Sequence, residues 1–412
     1  MGILYALVLA LSVKQDQAAL HAGCEQDSTV VVSLPAGTPL ELRYRTTGEN
    51  GPCYKVKASL GTRVVEGYLA TDAMDGLVTF ERGRKRAESV SLAQLMESSR
   101  PPAQTGTSGP MRVWFGPGVS RAVVAQASAS IDTNEPRKAL DVLEPEIRKR
   151  PDAGLLAMAG YAAWKADEGR RALELWRQSM ALAPNQALQG FYSQVERELA
   201  SDQSNAKLEG ANVVLRFEDG TIPKETAQQM LAAVDSAYLK VSSELGCKAQ
   251  EKIVTIVQSR ESYVRTTNVA AWNAGLYDGR IRVPMYDEYM GEEEERVLVH
   301  ETTHACLSIM GHWPTWFQEG MAQRFSGEKS FPLTVAKLVA MGRERKLPSL
   351  NALSGDWSRL GNDQAAMAYS LALHAVNRLY DYYGADGVWI LVHNPSQMPA
   401  IVAELDKILI NN

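Results

Sequence analysis

The sequence predicts a multidomain α+β protein, and three observations support this prediction. Residues 18–78 alternate short apolar runs with turn residues, as small β domains do. Residues 119–203 carry a repeat of helical character. From residue 210 to residue 412, strand-like and helix-like runs follow one another. We therefore expect a small β-barrel, a set of α-helical hairpins and a C-terminal α+β domain.

The composition is that of a folded protein without a nucleic-acid-binding surface. Of the 412 residues, 45% are hydrophobic and 22% are charged, as in ordinary globular domains. The formal net charge of −5 provides no basic footprint for a phosphate backbone. No apolar run reaches the roughly 18 residues that a spanning helix needs, so no membrane span is predicted.

The N-terminal segment resembles the core of a secretory signal peptide. Residues 2–13 are apolar, although no basic residue precedes them and no small-residue cleavage site follows. We predict a signal peptide over residues 1–17, and therefore export. The alternative is a buried N-terminal segment.

Short strands make up the β module predicted over residues 18–78. They are expected at Val30–Val32, Pro39–Tyr44, Tyr54–Val56 and Glu66–Leu69, with turns at residues 34–38 and 48–51. The Pro-x-Gly-Thr turn and the closing Gly-Tyr-Leu strand resemble those of bacterial SH3-like barrels. This resemblance implies a module that binds envelope polymers or peptides, or one that serves as a passive spacer.

The four cysteines divide between the β module and the C-terminal domain. Four cysteines allow three pairings, among which the sequence does not choose. We favour a disulfide between Cys24 and Cys53, because it would reinforce a small core. Cys247 and Cys306 are expected to be buried thiols.

A linker over residues 79–118 is predicted to lead into helical repeats over 119–203. Proline, glycine, serine and threonine dominate its second half, as in flexible linkers. Lys138–Leu140 recurs 33 residues later as Arg171–Leu173, which is close to the tetratricopeptide period. The residues at that repeat's marked positions are Gly160, Ala172, Trp176 and Pro184. The resemblance implies two hairpin units that pack on the C-terminal domain or on a protein partner; the alternative is an unrelated helical domain.

The sequence His300-Glu301-Thr302-Thr303-His304 is the most informative motif of the chain. Acidic residues at 292–295 favour a helix start, and Gly311 and Pro314 are stop signals, so the motif is predicted to lie within a helix. Residues four apart share one helical face, which allows His300 and His304 to bind one metal ion. Glu301 would then lie beside the ion, where its carboxylate can take a proton from water. The alternative is a helix that carries two histidines by chance.

A catalytic zinc site needs a third protein ligand. The extended HExxHxxGxxH pattern fails here, because Leu307 and Met310 occupy its glycine and histidine positions. Glu319 is the next candidate, on a second helix folded back by the turn after Gly311. A solvated carboxylate at a helix start is the alternative for Glu319.

The segment that contains Glu319 resembles the gluzincin zinc peptidases, and specifically the peptidase-MA-like domains of bacteria. In those domains HExxH is followed by Pro-x-Trp-x-x-Glu-Gly-x-Ala, and the matching residues here are Pro314, Trp316, Glu319, Gly320 and Ala322. The resemblance covers about residues 210–412. It implies that His300, His304 and Glu319 bind Zn²⁺, that Glu301 is the general base, and that a metal-activated water hydrolyses peptide bonds.

The resemblance also implies where a substrate lies. Strands are predicted at 212–217, 253–257 and 276–284, with a helix over 224–245 between the first two. A strand that ends in Pro284 suits a sheet edge, and similar peptidases hold the substrate backbone against such an edge. Gly275, Tyr277 and Arg280 are therefore candidate substrate-binding residues; the alternative is an edge strand with no ligand.

A hydrogen-bond donor for the oxyanion is the last group that peptide hydrolysis needs. Similar domains carry a tyrosine at the start of a later helix, which makes Tyr369 the candidate and His374 the second choice. The alternative is that both are core residues.

Two functions of different classes follow from these motifs. The first is an exported zinc peptidase of the bacterial periplasm or cell envelope, acting on a peptide or protein substrate. The second is an envelope scaffold in which the SH3-like and helical modules bind proteins and the zinc domain is not catalytic. The presence of Glu301 favours the first, because a purely structural site needs no base beside the metal.

Overall fold

The N-terminal part of the protein is a curled antiparallel sheet, and the remainder is mainly helical. A computed structural model describes residues 11–24, 27–48, 51–61, 63–77, 115–201, 206–267, 274–285, 291–330, 332–355, 357, 360 and 362–411. Together they form a mixed α+β protein with three hydrophobic cores. None of the helices in these ranges is long and apolar enough to cross a membrane.

Seven strands form the N-terminal sheet, in the order β3-β2-β6-β5-β4-β1-β7. They are β1 (Leu11–Val13), β2 (Ala18–His21), β3 (Val30–Leu34), β4 (Pro39–Gly48), β5 (Gly51–Leu60), β6 (Arg63–Ala70) and β7 (Met74–Asp75). Alternate residues point inward, and Leu20, Leu34, Tyr54 and Val56 are almost fully buried between the strands. The four predicted strands are confirmed within β3, β4, β5 and β6.

The sheet begins earlier in the chain than the sequence predicts. Strand β1 pairs with β4 and with β7, and its residues Leu11 and Val13 are buried in the core. The segment assigned to the signal peptide from the sequence therefore includes strand β1 of this sheet. Residues 1–10 lie outside the described residues.

Over residues 121–201 the structure has five helices: α1 (Arg121–Asp132), α2 (Pro136–Lys149), α3 (Ala153–Lys165), α4 (Gly169–Leu182) and α5 (Gln186–Ser201). Helices α2 and α4 start 33 residues apart, as do α3 and α5, so the repeat in the sequence is a repeat of helices. Trp164, Trp176 and Phe191 form the centre of their core, with Phe191 edge-on to both indoles. Most of the predicted linker, residues 78–114, lies outside the described residues.

The C-terminal domain contains a five-stranded sheet in the order β11-β12-β10-β9-β8. Its strands are β8 (Ala206–Glu209), β9 (Val213–Phe217), β10 (Ile253–Ser259), β11 (Leu276–Tyr277) and β12 (Ile281–Met285), with β9, β10 and β12 parallel. Its helices are α6 (Lys224–Leu245), α7 (Arg260–Thr267), α8 (Glu292–Met310), α9 (Thr315–Phe325), α10 (Pro332–Arg343), α11 (Asn362–His393, kinked at Gly384) and α12 (Met398–Asn411).

The single strand predicted over 276–284 is in fact a hairpin. Strand β11 is the two-residue edge, and β12 lies between β11 and β10. Pro284 is tolerated in β12 because its register position is beyond the end of β11, where no ladder hydrogen bond is needed from its nitrogen.

Of the two disulfides, one is predicted from the sequence and the other is not. Cys24 is joined to Cys53, with Cα atoms 6.1 Å apart, as the sequence favours. Cys247 is joined to Cys306, with Cα atoms 5.7 Å apart, so the expectation of two buried thiols is wrong. Helix α8 packs along α6, and this packing brings Cys247, two residues after α6, next to Cys306 in the second half of α8.

A buried ion network attaches the helical array to the C-terminal sheet. Glu198 of α5 is 1% exposed and accepts hydrogen bonds from Arg280 at 2.8 Å and Arg282 at 2.7 Å. Arg216 of β9 lies 3.3 Å from the same carboxylate. Burial alone would raise the pKa of Glu198, but the three guanidinium groups outweigh it and lower the pKa to about 2. The carboxylate is therefore charged throughout the physiological range.

We expect Glu198→Gln to destabilise the protein strongly, because it removes the buried negative charge that three buried guanidinium groups share. The free energy of unfolding should fall by about 3–5 kcal/mol, as measured by urea denaturation at neutral pH. The wild type should lose its greater stability as the pH falls from 4.5, the pKa of Glu198 in the unfolded chain, through about 2, its pKa in the folded protein. Glu196→Gln, an exposed position on the same helix, is the matched control. Equal stability of the two variants would contradict the prediction.

Candidate metal site

Helix α8 carries the HExxH motif in its middle. The helix is capped by a hydrogen bond from the Gly291 nitrogen to the Glu294 carboxylate, 3.1 Å long, and four glutamates occupy its first turn. Negatively charged carboxylates at this end stabilise the helix, because they lie at the positive end of its dipole. The imidazole centroids of His300 and His304 are 4.9 Å apart on one face, as the four-residue spacing predicts.

A tight turn folds α9 back against α8. The Trp313 indole nitrogen donates to the carbonyl of Leu307 over 2.9 Å, which ties the turn to the last turns of α8. Trp316 and Phe317 then anchor the start of α9 in the core, both fully buried. With these two side chains pointing into the core, Glu319 faces α8.

Close packing of α9 on α11 depends on Gly320. A Cβ atom at this position would lie 2.4 Å from the Ala372 carbonyl oxygen and 2.6 Å from a Val376 methyl. Real Cβ atoms do not approach backbone oxygen so closely, so only glycine allows this helix separation. Gln323 strengthens the contact by donating to the Tyr369 carbonyl over 3.1 Å. The glycine therefore helps to set the position of the preceding Glu319.

The structure brings the three predicted ligands together. The Glu319 Oε2 atom lies 3.4 Å from His300 Nε2 and 3.6 Å from His304 Nε2, and one donor atom of each residue lies within 4.8 Å of the others. Ligands about 2.1 Å from a tetrahedral ion are about 3.4 Å from each other, so the spacing fits a metal. Both imidazoles and the carboxylate are largely buried, with side-chain exposures of 22, 11 and 17%.

The charges of these groups are strongly coupled. Burial opposes protonation of His300, but its hydrogen bond with Glu319 and the charge of Glu301 outweigh it and raise the pKa of His300 to about 9. Burial opposes ionisation of Glu319, but both imidazoles outweigh it and hold the pKa of Glu319 well below its usual range. Without a metal, a proton on His300 supplies the positive charge that Glu319 needs.

Glu301 lies in a different environment, although it neighbours His300 in sequence. It is 6% exposed, and burial raises the pKa of its carboxyl, against the opposing effect of the two imidazoles. The backbone of Gly275, just before β11, packs directly against it: a Cβ atom there would lie 2.6 Å from Glu301 Oε1. A buried carboxylate with a raised pKa suits a group that accepts a proton.

The three predicted substrate-binding residues separate in the structure. Gly275 and Tyr277 line the cavity over the histidines, and the Tyr277 hydroxyl is 2.7 Å from Ser308 Oγ on α8. Burial raises the pKa of Tyr277 to about 12. Arg280 does not border this cavity: it is fully buried, and it binds Glu198 and the Trp164 carbonyl. Alternation along a strand agrees with this separation, because residues 280 and 282 share one face and residue 277 lies on the other; Arg282 also binds Glu198.

Tyr369 lies in the cavity and His374 does not border it. The Tyr369 ring packs edge-on against Trp357 with centroids 5.1 Å apart, and the residue remains 36% exposed. The negative charge of Glu319 and then burial raise the pKa of its hydroxyl, which therefore stays protonated and able to donate. Burial lowers the pKa of His374.

The cavity itself has a volume of about 830 Å³ and includes residues that sequence reasoning missed. Glu328, after α9, is one of them, and burial raises the pKa of its carboxyl. Others come from the N-terminal sheet: residues 22–24 and Tyr68. No motif marks these positions, because they reach the cavity only through tertiary packing.

Comparison with known proteins adds no relative to this description. A scan against protein-family models finds no match for the chain, and a search of curated proteins finds none either. The assignment of function therefore depends on the residues of the chain itself.

Metal binding should release a proton, because an imidazole binds a metal only when it is neutral. The raised pKa keeps His300 protonated at neutral pH, so the apparent affinity for Zn²⁺ should rise with pH and level off above about 9. Calorimetric titration of Zn²⁺ in two buffers with different ionisation enthalpies counts the released proton. His312→Gln, an exposed position outside the triad, should behave as wild type. A pH-independent affinity would contradict this coupling.

Gly320→Ala should weaken metal binding by moving α9 away from α11. Overpacking of this kind costs about 1–3 kcal/mol, and it should lower the melting temperature and the Zn²⁺ affinity together. Thermal unfolding and Zn²⁺ competition measure the two effects. Gly190→Ala is the matched control, because it is a helical glycine with no atom within 4 Å of a new Cβ. If both variants bind Zn²⁺ equally well, Gly320 does not position the ligand.

Proposed function

We propose that the protein is a zinc-dependent peptidase of the gluzincin class, with a C-terminal zincin domain. One observation carries the proposal: two histidine nitrogens and one carboxylate oxygen converge at metal-ligand spacing, with a further buried carboxylate beside them. A structural zinc site is closed by four protein ligands. Among the described residues this group has three, and it lies in a cavity of about 830 Å³.

His300, His304 and Glu319 would hold the Zn²⁺ ion, whose role when bound is to polarise the scissile carbonyl and to lower the pKa of water. Glu301 takes the proton from the attacking water, and it later delivers that proton to the leaving amine. The raised pKa of its carboxyl supports both steps, because burial makes the carboxylate a better proton acceptor than an exposed glutamate. The protonated hydroxyl of Tyr369 donates a hydrogen bond to the developing oxyanion.

The edge strand β11 would hold the substrate backbone. Its outer side is not paired among the described strands, and an extended peptide can add to such an edge. Gly275 and Tyr277 lie at this edge and border the cavity. Because Gly275 also touches Glu301, a peptide on β11 passes next to the proposed base.

The other two domains support an exported protein with binding modules. We propose that the curled N-terminal sheet is SH3-like and that the helical array is tetratricopeptide-like. The 33-residue spacing of the helices supports the second assignment, as does the packing of Gly160 against Trp176. Two disulfides support export to the bacterial periplasm or envelope, since disulfides persist in oxidising compartments.

We expect Glu301→Gln to abolish peptide hydrolysis without abolishing metal binding, because the substitution removes the proton acceptor and leaves all three ligands. The loss should be about 100-fold or more. The full chain, loaded with Zn²⁺, would be incubated with a mixed peptide library, and cleavage products would be identified by mass spectrometry. Zinc content is measured on the same samples.

Glu295→Gln is the matched control, because this exposed glutamate lies on the same helix away from the ligands. It should keep both zinc and activity. A wild-type protein that binds one zinc and cleaves no peptide would favour the scaffold function instead. A protein that binds no zinc at all would exclude the peptidase function.

A further inference from the structure

The cavity over the candidate metal site is closed on one side by the N-terminal sheet. The floor comes from α8 and α9, and α11 contributes Tyr369. The opposite wall consists of residues 22–24, after β2, and of Tyr68 in β6. These two parts of the chain are more than 200 residues apart, so the cavity exists only because the two domains dock.

A specific hydrogen bond holds this docking at the mouth of the cavity. The Tyr68 hydroxyl donates to Glu293 Oε1 over 2.8 Å, across 225 residues of sequence. Tyr68 is 7% exposed, so the bond is shielded from solvent on the side of the sheet. Glu293 also lies 3.7 Å from Arg296 on the next turn of α8. A second contact between the same domains, Arg260 with Glu41 at 3.9 Å, lies away from the cavity.

The wall segment 22–24 is held firmly within its own domain. The Ala22 nitrogen donates to the Thr29 carbonyl over 2.8 Å, which continues the pairing of β2 with β3. Its last residue, Cys24, is joined to Cys53 in β5. Both ends of the segment are thus tied to the sheet, and from the same sheet the Tyr68 side chain makes the hydrogen bond to α8.

We propose that this wall makes the protein selective for extended, unfolded polypeptide segments, with Tyr68 as a specificity-determining residue; the inference rests on the proposed peptidase function. The cavity of about 830 Å³ has the size of a site for a small ligand or a short peptide segment. A folded domain of 100 residues has a radius of gyration of about 13 Å, so it is too large to enter a cavity of this volume. An extended peptide paired with β11 is narrow enough to enter the cavity.

Loss of the Tyr68 hydroxyl should weaken the docking and relax this selectivity. A hydrogen bond to a carboxylate changes such an equilibrium by about tenfold or more. We therefore expect Tyr68→Phe to raise the rate of cleavage of a folded protein, relative to a short peptide, by about tenfold. The two rates would be measured as kcat/KM for a native globular protein and for a peptide from its sequence, with the unfolded, alkylated protein as a third substrate. Tyr382→Phe, at an exposed position, is the control.

A second readout does not depend on activity. Hydrogen exchange of the Zn²⁺-loaded full chain should become faster in residues 63–70 and 292–296 of Tyr68→Phe, because these segments protect one another. Glu293→Ala should have the same effect, and the double variant should add little to either, since both remove one bond. Faster exchange together with an increased cleavage ratio supports the proposal.

The outcomes separate this inference from the proposed function. If the wild type cleaves the short peptide but Tyr68→Phe leaves the cleavage ratio unchanged, the wall does not determine specificity and the inference is overturned. Unchanged exchange in both single variants overturns it as well, whether or not cleavage is seen. A wild type that cleaves neither the peptide nor the unfolded protein overturns the peptidase function, and with it this selectivity.

Discussion

The buried carboxylate of Glu198 is the interaction on which the arrangement of the helical array and the C-terminal sheet depends. Three guanidinium groups surround it, from β9 and from the hairpin of β11 and β12. Removing these charges from water costs several kcal/mol for each ion, so they are tolerated only when all are paired at once. The network therefore allows one register of α5 against the sheet. Asp278 extends it, accepting from Arg282 and from Gln194 of α5 at 2.8 Å each.

This network reaches the candidate site through a single hairpin. Arg280 and Arg282 flank the start of β12, and their pairing fixes the turn that leads back to β11. Strand β11 in turn places Gly275 against Glu301 and Tyr277 against Ser308. The helical repeats thus have a structural role in positioning the cavity, whatever else they bind. Residues that contact no substrate in the proposed function still determine where the edge strand lies.

The candidate site is built on the helices α8 and α9, and its two carboxylates, Glu319 and Glu301, lie in environments that shift their pKa values in opposite directions. Helix α8 is joined to the end of α6 by the Cys247–Cys306 disulfide, and α9 is fixed by Gly320 and by the Trp313 hydrogen bond. Within this frame Glu319 is stabilised as an anion by two imidazoles, whereas burial favours the protonated form of Glu301. The two carboxylates are thereby suited to different tasks, Glu319 to metal binding and Glu301 to proton transfer.

The sequence by itself determined the local features of this protein. The spacing of His300 and His304, the bounds of α6 and the turn into α9 follow from helical periodicity and from glycine and proline stop signals, which act within a few residues. Only the tertiary structure decided which segment of the chain packs on each face of a strand or helix. Alternation in β9 and β12 shows that Arg216 and Arg282 face away from the core, but not that Glu198 buries them. The disulfide at Cys306 and the cavity wall at Tyr68 depend likewise on contacts between distant segments, which residue periodicity does not encode.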